Sequence, residues 1–183
     1  DFFKMTFGMR NENIIPKFFS NWIDVTNERE IARLADRKEE IYREIIISEG
    51  IEPLPGVRDL LKSLKSEQIA CSIASSTPLA NIEAVMNIIE LSDYFAAITA
   101  AEDVSNGKPS PEVFLKAAEK IKSDPKRCVV FEDAHVGIEA GLAANMHVVA
   151  VATTHPIESL SNAHTVLENL KDIDAEKIKR LLS

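Results

Sequence analysis

From Leu54 onward, short apolar runs alternate with amphipathic segments of helical length, and this alternation most restricts how the chain can fold. Strands are expected at 69–74, near 97–99, at 128–131, at 148–151 and, more briefly, near 164–167. Between them, Val57, Leu60, Leu61 and Leu64 stripe one helix. A second runs from Pro78 to about Ile89, a third starts at Ser110-Pro111, and a fourth covers 136–144. Strands separated by helices of this length pair in parallel through right-handed crossovers, with helices on both faces. The expected core, residues 51–183, is an α/β doubly wound parallel sheet.

Residues 1–50 carry no strand pattern and are expected as a small all-helical domain. Residues 1–7 (DFFKMTF) read as the middle of a helix, and the chain opens without an initiator methionine, which suggests preceding residues. Ile14, Ile15, Phe18, Phe19 and Trp22 follow at helical spacing, with Pro16 expected in the first turn of a helix starting near Asn13. From Thr26, the expected N-cap, Ile31, Leu34, Ile41, Ile45 and Ile46 mark one long amphipathic helix that ends at Gly50. Pro53 and Pro55 form the linker to the core.

The formal charge of −8 and the lack of a basic stretch argue against nucleic acid as a partner. An anionic ligand would need local positive charge set against that field. No apolar run reaches the roughly 20 residues a membrane helix needs, and the start has no signal-peptide pattern, so no membrane partner and a cytoplasmic location are expected. Cys71 and Cys128 fall in expected strands and read as small buried thiols. The four histidines lack the spacing of a zinc site.

Ligands of open parallel sheets bind beyond the carboxyl ends of the strands. Two strand ends carry suggestive chemistry. The run Ser75-Ser76-Thr77-Pro78 offers hydroxyl and amide donors at a helix start, which suits a phosphate; ordinary N-capping uses the same residues. Glu132 and Asp133 close the run Cys128-Val-Val-Phe131, and adjacent carboxylates at a strand end are costly without a cation beside them. Mg²⁺, held by one or two carboxylates and a substrate phosphate, would satisfy both. Lys108 stands between Gly107 and Pro109, which restrict its backbone, although a solvated loop lysine is the ordinary reading. The P-loop pattern is absent, because Pro109 replaces its Ser/Thr, and no G-x-G-x-x-G occurs.

The runs IASSTP (73–78), GKPSPE (107–112) and VVFEDAHVGIEAG (129–141) together resemble motifs two, three and four of the haloacid-dehalogenase-like superfamily, in its β-phosphoglucomutase-like phosphatase branch with a helical cap. The resemblance implies that Ser75 contacts the transferring phosphoryl group, with Ser76 and Thr77 beside it. It implies that Lys108 neutralises phosphoryl charge and orients the nucleophile, and that Asp133 binds Mg²⁺ with Glu132 beside it. Arg10 and Lys38 are similar to cap residues that face substrate, though both also read as exposed helix charges. The family's first motif, D-x-D-G-[TV], is not found: Asp172-Ile-Asp174 follows no strand, lacks the glycine and reads as a helix start. The resemblance puts that strand before the cap and at the centre of the sheet, so the nucleophilic aspartate is expected upstream of residue 1. The implied activity is a Mg²⁺-dependent phosphatase acting on a small phosphorylated metabolite, as a monomer or weak homodimer, with this chain alone inactive. The alternatives are a sugar-phosphate mutase and a catalytically dead phosphate- or protein-binding module.

Overall fold

The computed structural model describes residue 6 and residues 8–182. Most of the segment 1–7, expected as helix, lies outside them. Helix α1 (Asn11–Phe19) buries Ile14 and Ile15. It starts two residues earlier than the sequence suggests, because the Asn13 and Ile14 amides both donate to the Arg10 carbonyl at 3.0 Å. Pro16 therefore lies inside the helix, and the hydrogen bond it removes would have gone to Glu12, which is exposed to water. Helix α2 (Glu28–Glu49) is capped by Asn27 rather than Thr26: the Asn27 side chain accepts from the Glu30 amide at 3.2 Å. Thr26 is held instead by Asp24, whose Oδ1 accepts its amide and its hydroxyl.

The core alternates as expected. Helix α3 (Val57–Ser66) leads to β1 (Ser72–Ala74), then α4 (Leu79–Ile89), β2 (Ala97–Thr99) and α5 (Glu112–Lys120). After these come β3 (Val129–Glu132), α6 (His135–Ala143), β4 (His147–Val151), β5 (Thr165–Leu167) and α7 (Ala175–Leu181). All pairing is parallel, with Ser72 opposite Ala97, Val129 opposite His147 and Val149 opposite Thr165.

Side chains alternate across β3 and β4, and both faces are covered. Val130, Val148 and Ala150 pack with Phe114, Ile138 and Leu160 on one face. Val129, Phe131 and Val151 pack with Leu60, Leu64 and Ile178 on the other. A strand buried on both faces must be apolar at every position, which is why these strands appear in the sequence as unbroken apolar runs. Gly141 lets α6 close on β4: a Cβ there would come 2.8 Å from Val148 Cγ2.

Among the described residues the five strands form two parallel sheets, β1–β2 and β3–β4–β5, with a gap where the resemblance puts a central strand. Between them runs a cleft of about 950 Å³, lined on one side by residues 69–74 and on the other by 128–131, with Leu60, Leu64 and Ile178 along it. Cys71 and Cys128 both border this cleft and are half-buried; burial pushes the Cys71 thiol above its ordinary pKa.

Ile138 is 1% exposed where α6 meets the sheet. Replacing it with alanine should cost about 2–5 kcal/mol in urea unfolding. A loss within the ~0.5 kcal/mol typical of surface positions would mean that α6 is not seated as described.

Candidate active site

Strand β3 ends at Glu132, and Asp133 is the next residue. Glu132 folds back over α6, and a Cβ on Gly137 would collide with its carboxylate, so glycine is required there. In that position Glu132 Oε2 accepts from Lys108 Nζ at 2.9 Å. The two side chains are 10% and 5% exposed. Lys108 Nζ also lies 4.8 Å from the centre of the Phe114 ring, at the start of α5. The carboxylate and the ring face both attract the ammonium and hold it in place.

The loop carrying Lys108 is tied down by a residue that sequence reasoning passed over. Glu112, in the first turn of α5, accepts the amides of Ser105 and Asn106, both at 2.9 Å, and pairs with Lys116 at 3.0 Å. Those two amides, with Lys116, lower the Glu112 pKa to about 2.

Asp133 has different partners. Thr153, just past β4, donates its hydroxyl to Asp133 Oδ2 at 3.0 Å, and Thr154 donates to the Asp133 carbonyl at 2.9 Å. His155 Nδ1 lies 3.1 Å from the same carbonyl, and its ring meets His135 edge-on at 4.6 Å. Thr153, Thr154 and His155 were not singled out in the sequence. The signal was their position after the apolar run 148–151, at the same end of the sheet as Asp133.

Ser75 follows β1. Its amide donates to the Thr99 carbonyl at 2.9 Å, and its Oγ accepts the Thr77 amide at 3.1 Å. None of the three hydroxyl residues caps α4: Pro78 holds the cap position, and Glu102 accepts the Leu79 amide from across the loop. The Thr99 hydroxyl is fully buried and has no hydrogen-bond partner among the described residues.

Lys108 and Glu132 are thus bonded directly, with Asp133 adjoining. Ser75 to Thr77 join this group through intermediaries. The Ala101 amide donates to the Thr77 carbonyl at 3.1 Å, while Arg10 donates to the carbonyls of Ala101 and, at 3.0 Å, Val104, and packs against Gly107. Arg10 also pairs with Glu12 at 2.9 Å. No hydrogen bond links Ser75 to Lys108 or Asp133 among the described residues. Lys38 stands apart on α2, half-exposed and paired with Glu39 at 2.6 Å.

Oxygen-bearing side chains thus stand at two strand ends of an α/β scaffold, with the buried Lys108 in a neighbouring loop. The match to the family described as haloacid dehalogenase-like hydrolase covers residues 1–151, and the chain belongs to that family. It is 34% identical over 175 residues to the chloroplastic 5-amino-6-(5-phospho-D-ribitylamino)uracil phosphatase of Arabidopsis thaliana, covering 95% of this chain and 46% of that protein. The chain therefore spans less than half the length of that relative. It is 31% identical over 169 residues to hexitol phosphatase B of Escherichia coli O157:H7, covering 91% of this chain and 72% of the relative. The fold superposes on β-phosphoglucomutase from Clostridium difficile with a TM-score of 0.87 at 31% identity, over 99% of this chain and 80% of that one.

Two outcomes test the geometry. Lys108→Met alone should destabilise the protein by about 3–5 kcal/mol, because it leaves Glu132 buried without its cation. Lys108→Met with Glu132→Leu should recover most of that loss in chemical denaturation, and an equal loss in both variants would contradict the pairing. Glu112 gives the second. Its pKa in the folded chain lies below the unfolded value of about 4.3, so its hold on the loop is complete above that pH and is lost as pH falls through about 2. Carbon-detected NMR titration should give a Glu112 midpoint near 2; a midpoint at the unfolded value would mean that the loop amides are not bound.

Proposed function

We propose that this chain is part of a Mg²⁺-dependent phosphatase that hydrolyses a small phosphorylated metabolite through an aspartyl-phosphate. The observation that carries the reading is the buried Lys108–Glu132 pair beside Asp133. It holds one ammonium at the strand end without consuming the neighbouring carboxylate.

The Asp133 carboxylate is half-buried, and its Oδ2 receives the Thr153 hydroxyl. Hard oxygen donors of this kind fit Mg²⁺, and Asp133 would hold it; when bound, the ion would neutralise charge on the phosphoryl oxygens. Glu132, expected from the sequence as a second metal ligand, is committed to Lys108, and its role in this reading is to aim that ammonium.

Lys108 stabilises the equatorial oxygens, and the hydroxyls of Ser75, Ser76 and Thr77 offer donors to the same group. The nucleophile is an aspartate on a strand that runs in the cleft between β1 and β3, supplied by polypeptide preceding residue 1. Its carboxylate oxygen attacks phosphorus, the bond from phosphorus to the substrate oxygen breaks, and that oxygen leaves with a proton from the second aspartate of the same upstream motif. That second aspartate regains a proton from the attacking water of the next step. Water then attacks the aspartyl-phosphate, releasing inorganic phosphate and restoring the carboxylate.

Arg10 already serves two carbonyls and Glu12, so it fixes the 101–104 turn beside the Lys108 loop. Lys38 is the better candidate for the part of the substrate that does not react. The names of two relatives, specifying ribityl phosphate and hexitol, support a polyol or sugar phosphate as the substrate class. The likeness to β-phosphoglucomutase favours a mutase as the second reading.

The longer polypeptide should hydrolyse p-nitrophenyl phosphate with Mg²⁺ and lose activity in EDTA. Asp133→Ala should lower turnover by ~100-fold or more. Activity untouched by both treatments would reject the metal assignment. Interconversion of sugar phosphates without release of phosphate would select the mutase.

A further inference from the structure

The long helix α2 buries one acid. Glu39 is 9% exposed on a helix whose other charged residues are half-exposed or exposed, and it stands seven residues, two turns, before the buried Ile46. Both of its oxygens are used. Oε1 accepts from Asn11 of α1 at 2.5 Å and from Lys38 at 2.6 Å, and Oε2 accepts from Asn81 of α4. Asn81 is 1% exposed, and its amide is engaged at both ends: its Nδ2 donates to Glu39, while its Oδ1 accepts from Arg43 Nη1 at 2.6 Å. Glu39 and Arg43 are four apart on α2 and share a face, so they grip the Asn81 amide from either side. Burial alone would raise the Glu39 pKa, but the bonds from Asn11, Lys38 and Asn81 outweigh it and keep the group below its ordinary value. The clamp therefore works as carboxylate, amide and guanidinium, three groups with fixed donor and acceptor roles.

Its position gives it meaning. Asn81 lies in the first turn of α4, directly after the hydroxyl run Ser75 to Thr77, and Lys38 adjoins Glu39 on α2. We propose that the Glu39–Asn81–Arg43 clamp locks the helical pair α1–α2 onto the core, and that Glu39 and Arg43 are positioning residues that set where Lys38 stands relative to the loop at Ser75. The inference rests on the reading above, in which that loop takes the phosphoryl group and Lys38 meets the rest of the substrate. The clamp thereby fixes the span between the two ends of the ligand and selects substrates by length.

The test exploits the donor and acceptor roles. Asn81→Asp puts a second carboxylate against Glu39 and should speed amide hydrogen exchange in α1 and α2 by at least about tenfold, with β3 and β4 unchanged. Adding Glu39→Gln turns that end into a donor facing the introduced carboxylate, while Arg43 still donates from the other side. The double variant should return α1–α2 exchange to within about threefold of the parent. Folding of the double variant where Asn81→Asp alone fails to fold supports the clamp equally. If neither folds, Arg43→Met and Glu39→Gln are read singly, and unchanged α1–α2 exchange in both overturns it. A double variant that exchanges as fast as Asn81→Asp also overturns it.

In the longer polypeptide, Glu39→Gln should raise KM for a sugar phosphate and leave kcat with p-nitrophenyl phosphate near the parent value. An unaltered KM beside altered exchange would remove the selection by length. Exchange is measured without turnover, so a failure of the phosphatase reading leaves the clamp result standing.

Discussion

One ion pair governs the layout of this molecule. Lys108, in a loop, and Glu132, the last residue of β3, are 24 residues apart in the chain and almost out of water. A lysine and a carboxylate desolvated together must stay together, because either alone would be a buried charge. That requirement fixes the end of β3 against the start of α5. It also demands a glycine at 137, where any side chain would displace the Glu132 carboxylate. Glu112 bonding to the amides of 105 and 106 and Arg10 bonding to the carbonyls of 101 and 104 hold the surrounding loop from two further sides. The site is thus built from neighbouring loops that are each pinned by a charged side chain.

The core was legible because both faces of its strands are covered. Val129 to Phe131 and Val148 to Val151 must be apolar throughout, so they stand out as runs, and the helices between them show their stripes. The separation into two sheets was not legible from alternation, but it accords with the resemblance, which puts a strand preceding residue 1 at the centre of the sheet. Periodicity identifies strands, but which edges pair depends on what lies between them, and the cleft lined by 69–74 and 128–131 is a property of the assembled layers.

The candidate site was legible in part. Lys108, Glu132 and Asp133 stood out through their chain neighbours. Their division of labour did not, since Glu132 turns toward lysine and only Asp133 keeps the company of Thr153 and Thr154. Glu112 and Glu39 were passed over for the same reason: an acid on an amphipathic helix reads as solvated surface. Glu39 did leave a trace, a charge two turns before Ile46, the other buried residue of the helix. Asn81 left less, because an amide beside Ile82 looks like the edge of an apolar stripe.

Both sulfur atoms outside methionine belong to Cys71 and Cys128, and both edge the same trough between the sheets. They line it from opposite banks, so solvent access to the trough bears on how readily either thiol meets a water-borne reagent.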